Sequence, residues 1–102
     1  MVSIRWTREA VADLEGIFEY IAKDSLQYAR LQVETLTESV EKLETYPRVG
    51  RRLPEFPHFS HREIIVGNYR VIYKHDVERK AVHIVAIAHG RQQLKNISFG
   101  IK

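Results

Sequence analysis

Hydrophobic residues recur at helical spacing through the first half of the chain. One run consists of Ala10, Leu14, Ile17, Phe18 and Ile21, and the next of Leu26, Ala29, Val33, Leu36, Val40 and Leu43. Steps of three and four residues place each run on one face of an α-helix. Thr7 is a suitable N-cap for the first helix, and Asp24 or Ser25 for the second. Pro47 predicts the end of the second helix, so we expect a helical hairpin over about residues 7–46.

The polar side of the first helix is equally regular. Its charged residues are Asp13, Glu15, Glu19 and Lys23. They alternate with the apolar stripe, which predicts that this side of the helix faces solvent.

The second half of the chain alternates in the manner of β-strands. One predicted strand places Tyr69, Val71 and Tyr73 on one side and Arg70, Ile72 and Lys74 on the other. Apolar runs at 64–66 and 81–89 flank it, with turn residues between the runs. Three such strands predict an antiparallel meander over about residues 61–90, with residues 69–74 as its middle strand. Residues 2–6 predict a further short strand at the start of the chain.

Two segments lack this periodicity. Residues 47–60 contain three prolines and three arginines and predict a stiff basic loop, which is often a functional feature. The tail 91–102 shows no clear pattern. The elements together predict a single α+β domain over residues 1–102, in the order β-α-α-β-β-β.

Composition narrows the chemistry. The chain has 102 residues, of which 44% are hydrophobic, and no cysteine, which excludes disulfides and thiol catalysis. No apolar run approaches the roughly 20 residues of a membrane helix, and no signal peptide is evident, so we expect a cytoplasmic protein without membrane contact.

Charge is distributed unevenly. Residues 1–46 carry five Lys/Arg against nine Asp/Glu, and residues 47–102 carry eleven against four. A basic second half is typical of a surface that meets phosphates or an acidic partner. The alternative is that acidic helices balance basic strands within one domain.

Several short motifs occur in a specific order along the chain. They are Trp6-Thr7, Pro47-Arg48-Val49-Gly50-Arg51, Arg62-Glu63-Ile64, Tyr69-Arg70-Val71-Ile72-Tyr73 and Ile87-Ala88-His89-Gly90-Arg91. This ordered set resembles the RelE/ParE superfamily of toxins from bacterial type II toxin–antitoxin modules, and it is closer to the ParE branch. The resemblance implies a mostly antiparallel, twisted sheet with the helical hairpin packed on one face.

The resemblance also implies function. A toxin of this superfamily is neutralised by a cognate antitoxin and inhibits growth when free, and ParE-like members, known from plasmid stabilization, are associated with poisoning of DNA gyrase. The alternative is a RelE-like mRNA endonuclease that acts on the ribosome without a metal. A second alternative is an inactive homologue that only binds its antitoxin. Operator DNA would be contacted only through the antitoxin.

Metal-free RNA cleavage would need a cation at the phosphate, a base and an acid. Arg70 is the best cation because it lies on the predicted middle strand and matches an arginine of RelE-type nucleases. The alternative, to which we give equal weight, is that Arg70 is structural and forms a salt bridge with Glu63 on the neighbouring strand. His89 or Glu55 would be the base. Either of these can instead be structural, with His89 bonded to backbone and Glu55 paired to an arginine of its own loop, Arg51 or Arg52.

Other candidates concern recognition. The predicted target- or nucleic-acid-binding cations are Arg51, Arg52, Arg62, Arg70 and Arg91. Tyr28 and Leu31 lie off the main seam of the second helix and predict an antitoxin-binding surface. No tyrosine follows Tyr73, whereas RelE-type nucleases often carry one near the C-terminus, and this difference favours the ParE interpretation.

Histidine spacing argues against a metal. His83 and His89 are six residues apart on one predicted strand, which corresponds to about 20 Å. His58 and His61 are three residues apart and could approach each other, but no cysteine or clear third ligand is near them. We predict neither a metal nor a cofactor.

Overall fold

The computed structural model of the protein describes residues 1–90. Its elements in chain order are β1 (Ser3–Trp6), α1 (Arg8–Ala22), α2 (Leu26–Glu41), a 3₁₀ turn (Lys42–Glu44), β2 (Arg51–Arg52), β3 (Arg62–Val66), β4 (Tyr69–Asp76) and β5 (Ala81–His89). Two helices therefore pack against a sheet in an α+β fold, and the predicted fold class is confirmed.

The five strands form one sheet in the order β1-β5-β4-β3-β2. The first strand is parallel to β5, and every other pair is antiparallel. The strand predicted as the middle of the meander, β4, is thus also the central strand of the whole sheet. A central strand has a hydrogen-bonded neighbour on both sides, so its side chains are held in fixed positions.

Two predicted boundaries were wrong. The second helix does not run to Pro47: it ends at Glu41, and the 3₁₀ turn that follows buries Leu43 completely. The basic loop 47–60 is interrupted by β2, which pairs with β3 so that Arg51 lies opposite Glu63. A two-residue edge strand has too little periodicity to be recognised from sequence.

Thr7 links the start of α1 to the sheet. Its Oγ1 accepts a hydrogen bond from the Ala10 N–H at 3.2 Å, which is the predicted N-cap. The same hydroxyl lies 2.8 Å from the Ile84 carbonyl oxygen and donates to it, with Val85 O at 3.2 Å. Ser25 caps α2 in the same way, with Oγ accepting from the Tyr28 N–H at 3.0 Å.

A β-bulge next to Thr7 changes which residues of β5 point to each side of the sheet. Ile72 pairs with Ala86 while Tyr73 pairs with Ile84, so Val85 is the extra residue of the bulge. The strand therefore changes the side to which alternate residues point, and His83 and His89 emerge on opposite sides of the sheet. An uninterrupted period of two would have placed both on one side.

The larger core lies between the helices and the sheet, on the side that we call the helix face. Its fully buried members are Ala10, Leu36, Val40, Leu43, Val66, Val71, Tyr73, Val82, Ile84 and Ile87. The helical stripes and the odd-numbered positions of β4 meet there, as the two periodicities require. Each large side chain contributes roughly 1.5–3 kcal/mol by leaving water.

The opposite side, which we call the loop face, has a smaller core. Leu53 is fully buried and Phe56 is half-buried against Ile72 and the alanines of β5. The segment that follows β2 therefore folds back over the sheet. This places the charged residue between Leu53 and Phe56, Glu55, beside the central strand.

Two helix positions differ from the prediction. Leu26 belongs to the apolar stripe but is 49% exposed at the first turn of α2. Asp13, expected on the solvated side, turns toward the sheet, and its Oδ2 accepts a hydrogen bond from the Ile87 N–H at 2.9 Å. Within residues 1–90, neither helix is long and apolar enough to cross a membrane.

Candidate functional site

Arg70 lies on the loop face near the start of the central strand β4, and three of its nitrogens bind carboxylates. Its Nε donates to Glu63 Oε1 at 2.6 Å. Its Nη1 and Nη2 donate to the two oxygens of Glu55 at 2.7 and 2.8 Å. The side chain of Arg70 is only 7% exposed. The guanidinium therefore has the bidentate geometry in which arginine recognises an oxyanion, and a glutamate of the same chain is the oxyanion.

Glu63 connects this arginine to a second one. Its side chain is fully buried, and its Oε2 accepts from Arg51 Nε at 2.7 Å. Arg51, Glu55, Glu63 and Arg70 thus form an arginine–glutamate cluster with two positive and two negative charges. A buried carboxylate with two guanidinium partners satisfies both of its oxygens, which burial requires.

The ionisation of the cluster follows from these contacts. The hydrogen bonds from Arg70 lower the pKa of the Glu55 carboxyl below its usual value, against a smaller opposing effect of burial. The same bonds raise the pKa of Arg70 further above its ordinary range. Both groups therefore stay charged at neutral pH, and the ion pair persists there.

The three candidate catalytic residues lie around one cleft. It has a volume of about 380 Å³ and is lined by Arg51, Pro54, Glu55, Ile65, Gly67, Asn68, Tyr69, Arg70, His89 and Gly90. Arg70 and Glu55 are in direct contact, while the His89 ring lies edge-on to Tyr69, 5.9 Å between centroids. All three line one cleft at the end of the sheet where β4 begins and β5 ends, but Arg70 projects from the loop face and His89, which pairs with Tyr69, from the helix face. The structure also pairs Glu55 with Arg70, whereas the sequence predicted Arg51 or Arg52 as its partner.

The predicted binding arginines do not form one surface. Arg51 and Arg70 belong to the cluster on the loop face. Arg62 on β3 lies opposite Tyr73 on β4, so its side chain leaves the sheet on the helix face. Its Nη1 donates to the Gly50 carbonyl at 2.8 Å. Arg52 is exposed on β2, with Nη1 3.4 Å from the Phe59 carbonyl. Arg91 and the tail 91–102 lie outside the described residues.

Tyr73 supports the loop that carries the cluster. Its buried hydroxyl accepts a hydrogen bond from the Gly50 N–H at 2.9 Å. A Cβ on Gly50 would lie 2.6 Å from the carbonyl oxygen of Glu63 and from the hydroxyl of Tyr73, so only glycine allows this approach. Burial raises the pKa of the Tyr73 hydroxyl. The tyrosine is therefore a core residue, and its hydroxyl holds the backbone at the start of β2.

A second cleft, of about 550 Å³, lies between α1 and the ends of β4 and β5. Its lining residues are Ala12, Asp13, Gly16, Ile17, Tyr20, Tyr69, Ile87 and His89. Burial raises the pKa of the Asp13 carboxyl, and the Ile87 N–H partly opposes this.

The predicted antitoxin-binding residues Tyr28 and Leu31 are both exposed on α2. Among residues 1–90, no three His, Cys, Asp or Glu side chains lie close enough to bind a metal.

Comparison with known proteins identifies the family. The family model described as the ParE toxin of the type II toxin–antitoxin system parDE matches residues 4–94. This chain belongs to the ParE toxin family. Y4kP, a candidate toxin of Sinorhizobium fredii, is 33% identical to this ParE-family chain over 92 residues, which cover 88% of this chain and 90% of that protein.

Solved structures agree with this assignment. The chromosomal ParDE toxin–antitoxin system of P. aeruginosa contains a chain that is 25% identical, with a TM-score of 0.69 over 87% of this chain and 96% of the other. The RelBE2 toxin–antitoxin complex of Mycobacterium tuberculosis contains a chain that is 24% identical, with a TM-score of 0.65 over 86% and 96%. The second likeness concerns the fold alone. The ParE-family chain thus shares its architecture with RelE-type toxins.

Proposed function

We propose that this toxin acts in the cytoplasm by poisoning DNA gyrase, in the manner that the ParE resemblance implies, until a cognate antitoxin neutralises it. The observation that carries the proposal is the state of Arg70. Both of its η nitrogens bind Glu55, and its ε nitrogen binds Glu63. A metal-free ribonuclease needs this cation free for the phosphate, and in the isolated chain two carboxylates occupy and neutralise it. The match to the ParE family model over residues 4–94 supports the same choice.

Recognition of the gyrase–DNA assembly is assigned to the predicted basic residues. Arg52 is exposed on the edge strand β2, and the ion pairs of the cluster do not include it. An exposed guanidinium retains its attraction for phosphate or for an acidic protein surface. Within the proposal, Arg52 therefore contributes more to recognition than the neutralised Arg51 and Arg70.

A supercoiling assay tests the proposal. The purified toxin is added to gyrase, relaxed plasmid and ATP, and we expect loss of supercoiling with accumulation of cleaved plasmid. Arg52→Glu should weaken the inhibition. Arg79→Glu, an equal change of charge in the turn after β4, should leave it unchanged. Undiminished supercoiling with excess wild-type toxin would refute the proposal.

One observation favours a second candidate, the RelE-like ribosome-associated mRNA endonuclease. Arg70, Glu55 and His89 all line the same cleft, which supports this candidate. In this mechanism Arg70 would bind the phosphate, and His89 or Glu55 would accept the proton of the 2′-hydroxyl. The candidate requires cleavage of an mRNA on translating ribosomes that is lost in Arg70→Ala. Intact mRNA after incubation with the wild-type toxin would exclude it.

The antitoxin is a protein partner in both cases. Two of the similar structures are toxin–antitoxin systems, which supports a cognate antitoxin for this chain. Tyr28 and Leu31 are 60% and 56% exposed and offer apolar area on α2. We expect Tyr28→Ala with Leu31→Ala to weaken antitoxin binding. If both activity assays are negative and antitoxin binding is intact, the chain is an inactive homologue.

A further inference from the structure

Glu55 and Glu63 contact the same arginine in different ways. Glu63 lies on β3, its side chain is fully buried, and its carboxylate is fixed between Arg51 and Arg70. Glu55 lies outside the regular strands, its side chain is 37% exposed, and its contacts within the cluster are to Arg70 alone. Glu63 is therefore a permanent part of the sheet. Glu55 can leave by rotation of its side chain while its chain neighbours stay packed.

The neighbours of Glu55 make that rotation independent of the fold. Leu53 is fully buried and Phe56 packs against the same small core, so the backbone is anchored on both sides. Removal of the carboxylate from Arg70 thus needs no change in the sheet or in the loop anchors. What it changes is the cleft, since Glu55 is one of its lining residues.

The cleft without the Glu55 carboxylate has the composition of a phosphate site. The two η nitrogens of Arg70 would face a volume of about 380 Å³. Arg51 lines the same cleft. Its Nε binds Glu63, and its side chain as a whole is 62% exposed. The two arginines carry one more charge than the single Glu63 carboxylate neutralises, so the site is net positive. Two guanidinium groups can together bind the three or four oxygens of a phosphate, whereas a carboxylate offers only two.

We propose that Glu55 is an internal competitor for a phosphate-binding site formed by Arg70 and Arg51, and that a phosphate group enters only when it displaces the Glu55 carboxylate. The toxin thus masks its own central arginine. The inference concerns phosphate binding by the isolated chain and holds for either target. Its failure is therefore distinguishable from failure of the gyrase proposal, which is read from supercoiling.

A titration with inorganic phosphate tests the inference. The observed signal is the Arg70 Nε–H resonance in ¹⁵N–¹H spectra of the full chain at constant ionic strength. A tethered carboxylate competes at an effective concentration in the millimolar range or above. We therefore expect Glu55→Gln to bind phosphate at least about tenfold more tightly than wild type. Glu55→Ala should show the same gain, because alanine cannot retain a hydrogen bond to Arg70.

Two controls separate masking from general charge. Glu78→Gln changes the net charge equally at an exposed position in the turn after β4 and should leave the phosphate affinity at the wild-type value. Arg70→Lys in the Glu55→Ala background removes the Arg70 signal, so this variant and Glu55→Ala are compared through the Arg51 Nε–H resonance. The gain should be lost, since lysine has no fork. The inference is overturned if the Glu55 variants bind phosphate no more tightly than Glu78→Gln. It is also overturned if the gain survives Arg70→Lys.

Discussion

Substitution of Arg70 by alanine tests whether the central arginine stabilises the fold. The change removes three charge-assisted hydrogen bonds of 2.6–2.8 Å from a side chain that is 7% exposed. Its main consequence is for Glu63, which is fully buried and would keep Arg51 as a single partner. Breaking a buried ion pair costs about 3–5 kcal/mol. Because Arg51 remains in place, we expect the lower end, about 3 kcal/mol.

That loss is large for a domain of this size. It corresponds to a fall in the melting temperature of roughly 12–24 °C. Urea unfolding followed by circular dichroism measures the free energy directly, and Arg79→Ala is the matched control. Arg79 is 81% exposed and its guanidinium lies 3.9 Å from Asp76, so its removal should change stability by no more than about 0.5 kcal/mol.

The result also decides how toxicity data are interpreted. If Arg70→Ala is destabilised as expected, loss of growth inhibition in that variant does not by itself identify a catalytic or binding role. A free energy of unfolding within about 1 kcal/mol of wild type would refute the structural role argued from the cluster. A double-mutant cycle that combines Arg70→Ala with Glu55→Ala then measures the interaction between these two residues, for which we expect a coupling energy of about 1 kcal/mol.

Three further changes test other parts of the fold. Gly50→Ala should destabilise the protein by about 2–3 kcal/mol in urea unfolding because its Cβ meets backbone at 2.6 Å, whereas Gly16→Ala, with open space and a helical position, should stabilise it by about 0.5–1 kcal/mol. Tyr73→Phe leaves a buried N–H without its acceptor and should cost about 1–3 kcal/mol, against no more than about 0.5 kcal/mol for the exposed Tyr46→Phe. The folded protein binds the Asp13 proton more tightly than the unfolded chain, because the folded pKa is raised. This contribution to stability is therefore complete at acid pH and is lost as the pH rises from about 3.9 to the raised folded value. Asp13→Asn should remove that part of the pH dependence, and an unchanged profile would contradict the assignment.

Much of the fold could be predicted because apolar residues recur with a single regular spacing in each half of the chain. The 3.6-residue period of the apolar stripes gave two helices, and the alternation around Arg70 gave the central strand. Boundaries failed where a different interaction decides. The α2 helix ends at Glu41, before Pro47, and continues into a 3₁₀ turn that buries Leu43. Asp13 faces the sheet because it accepts a hydrogen bond from β5, a contact 74 positions away that local pattern cannot reveal.

The candidate site was predictable in its residues but not in its connections. Sequence reasoning chose Arg70 and recognised Glu63 as a possible partner from the pairing of adjacent strands. The contact with Glu55 was missed, because it depends on how an irregular segment folds over the sheet. The bulge at Val85 was also missed, since one inserted residue leaves no signal in an apolar run. A charged residue such as Glu63 within an apolar strand was the available signal for a buried ion pair.

The same ion pairs change where the positive surface of the toxin lies. Residues 47–90 carry eight Lys/Arg and four Asp/Glu, so the basic excess of the second half is present in the described part of the chain. Three of those carboxylates bind arginines, and two of the three, Glu55 and Glu63, neutralise the centre of the loop face. The excess is therefore carried by other residues, and Arg48 and Arg52 lie exposed on either side of the start of β2. An acidic or phosphate-rich target would therefore be attracted first to these exposed arginines at the edge of the sheet, and the masked Arg70 on β4 would contribute less.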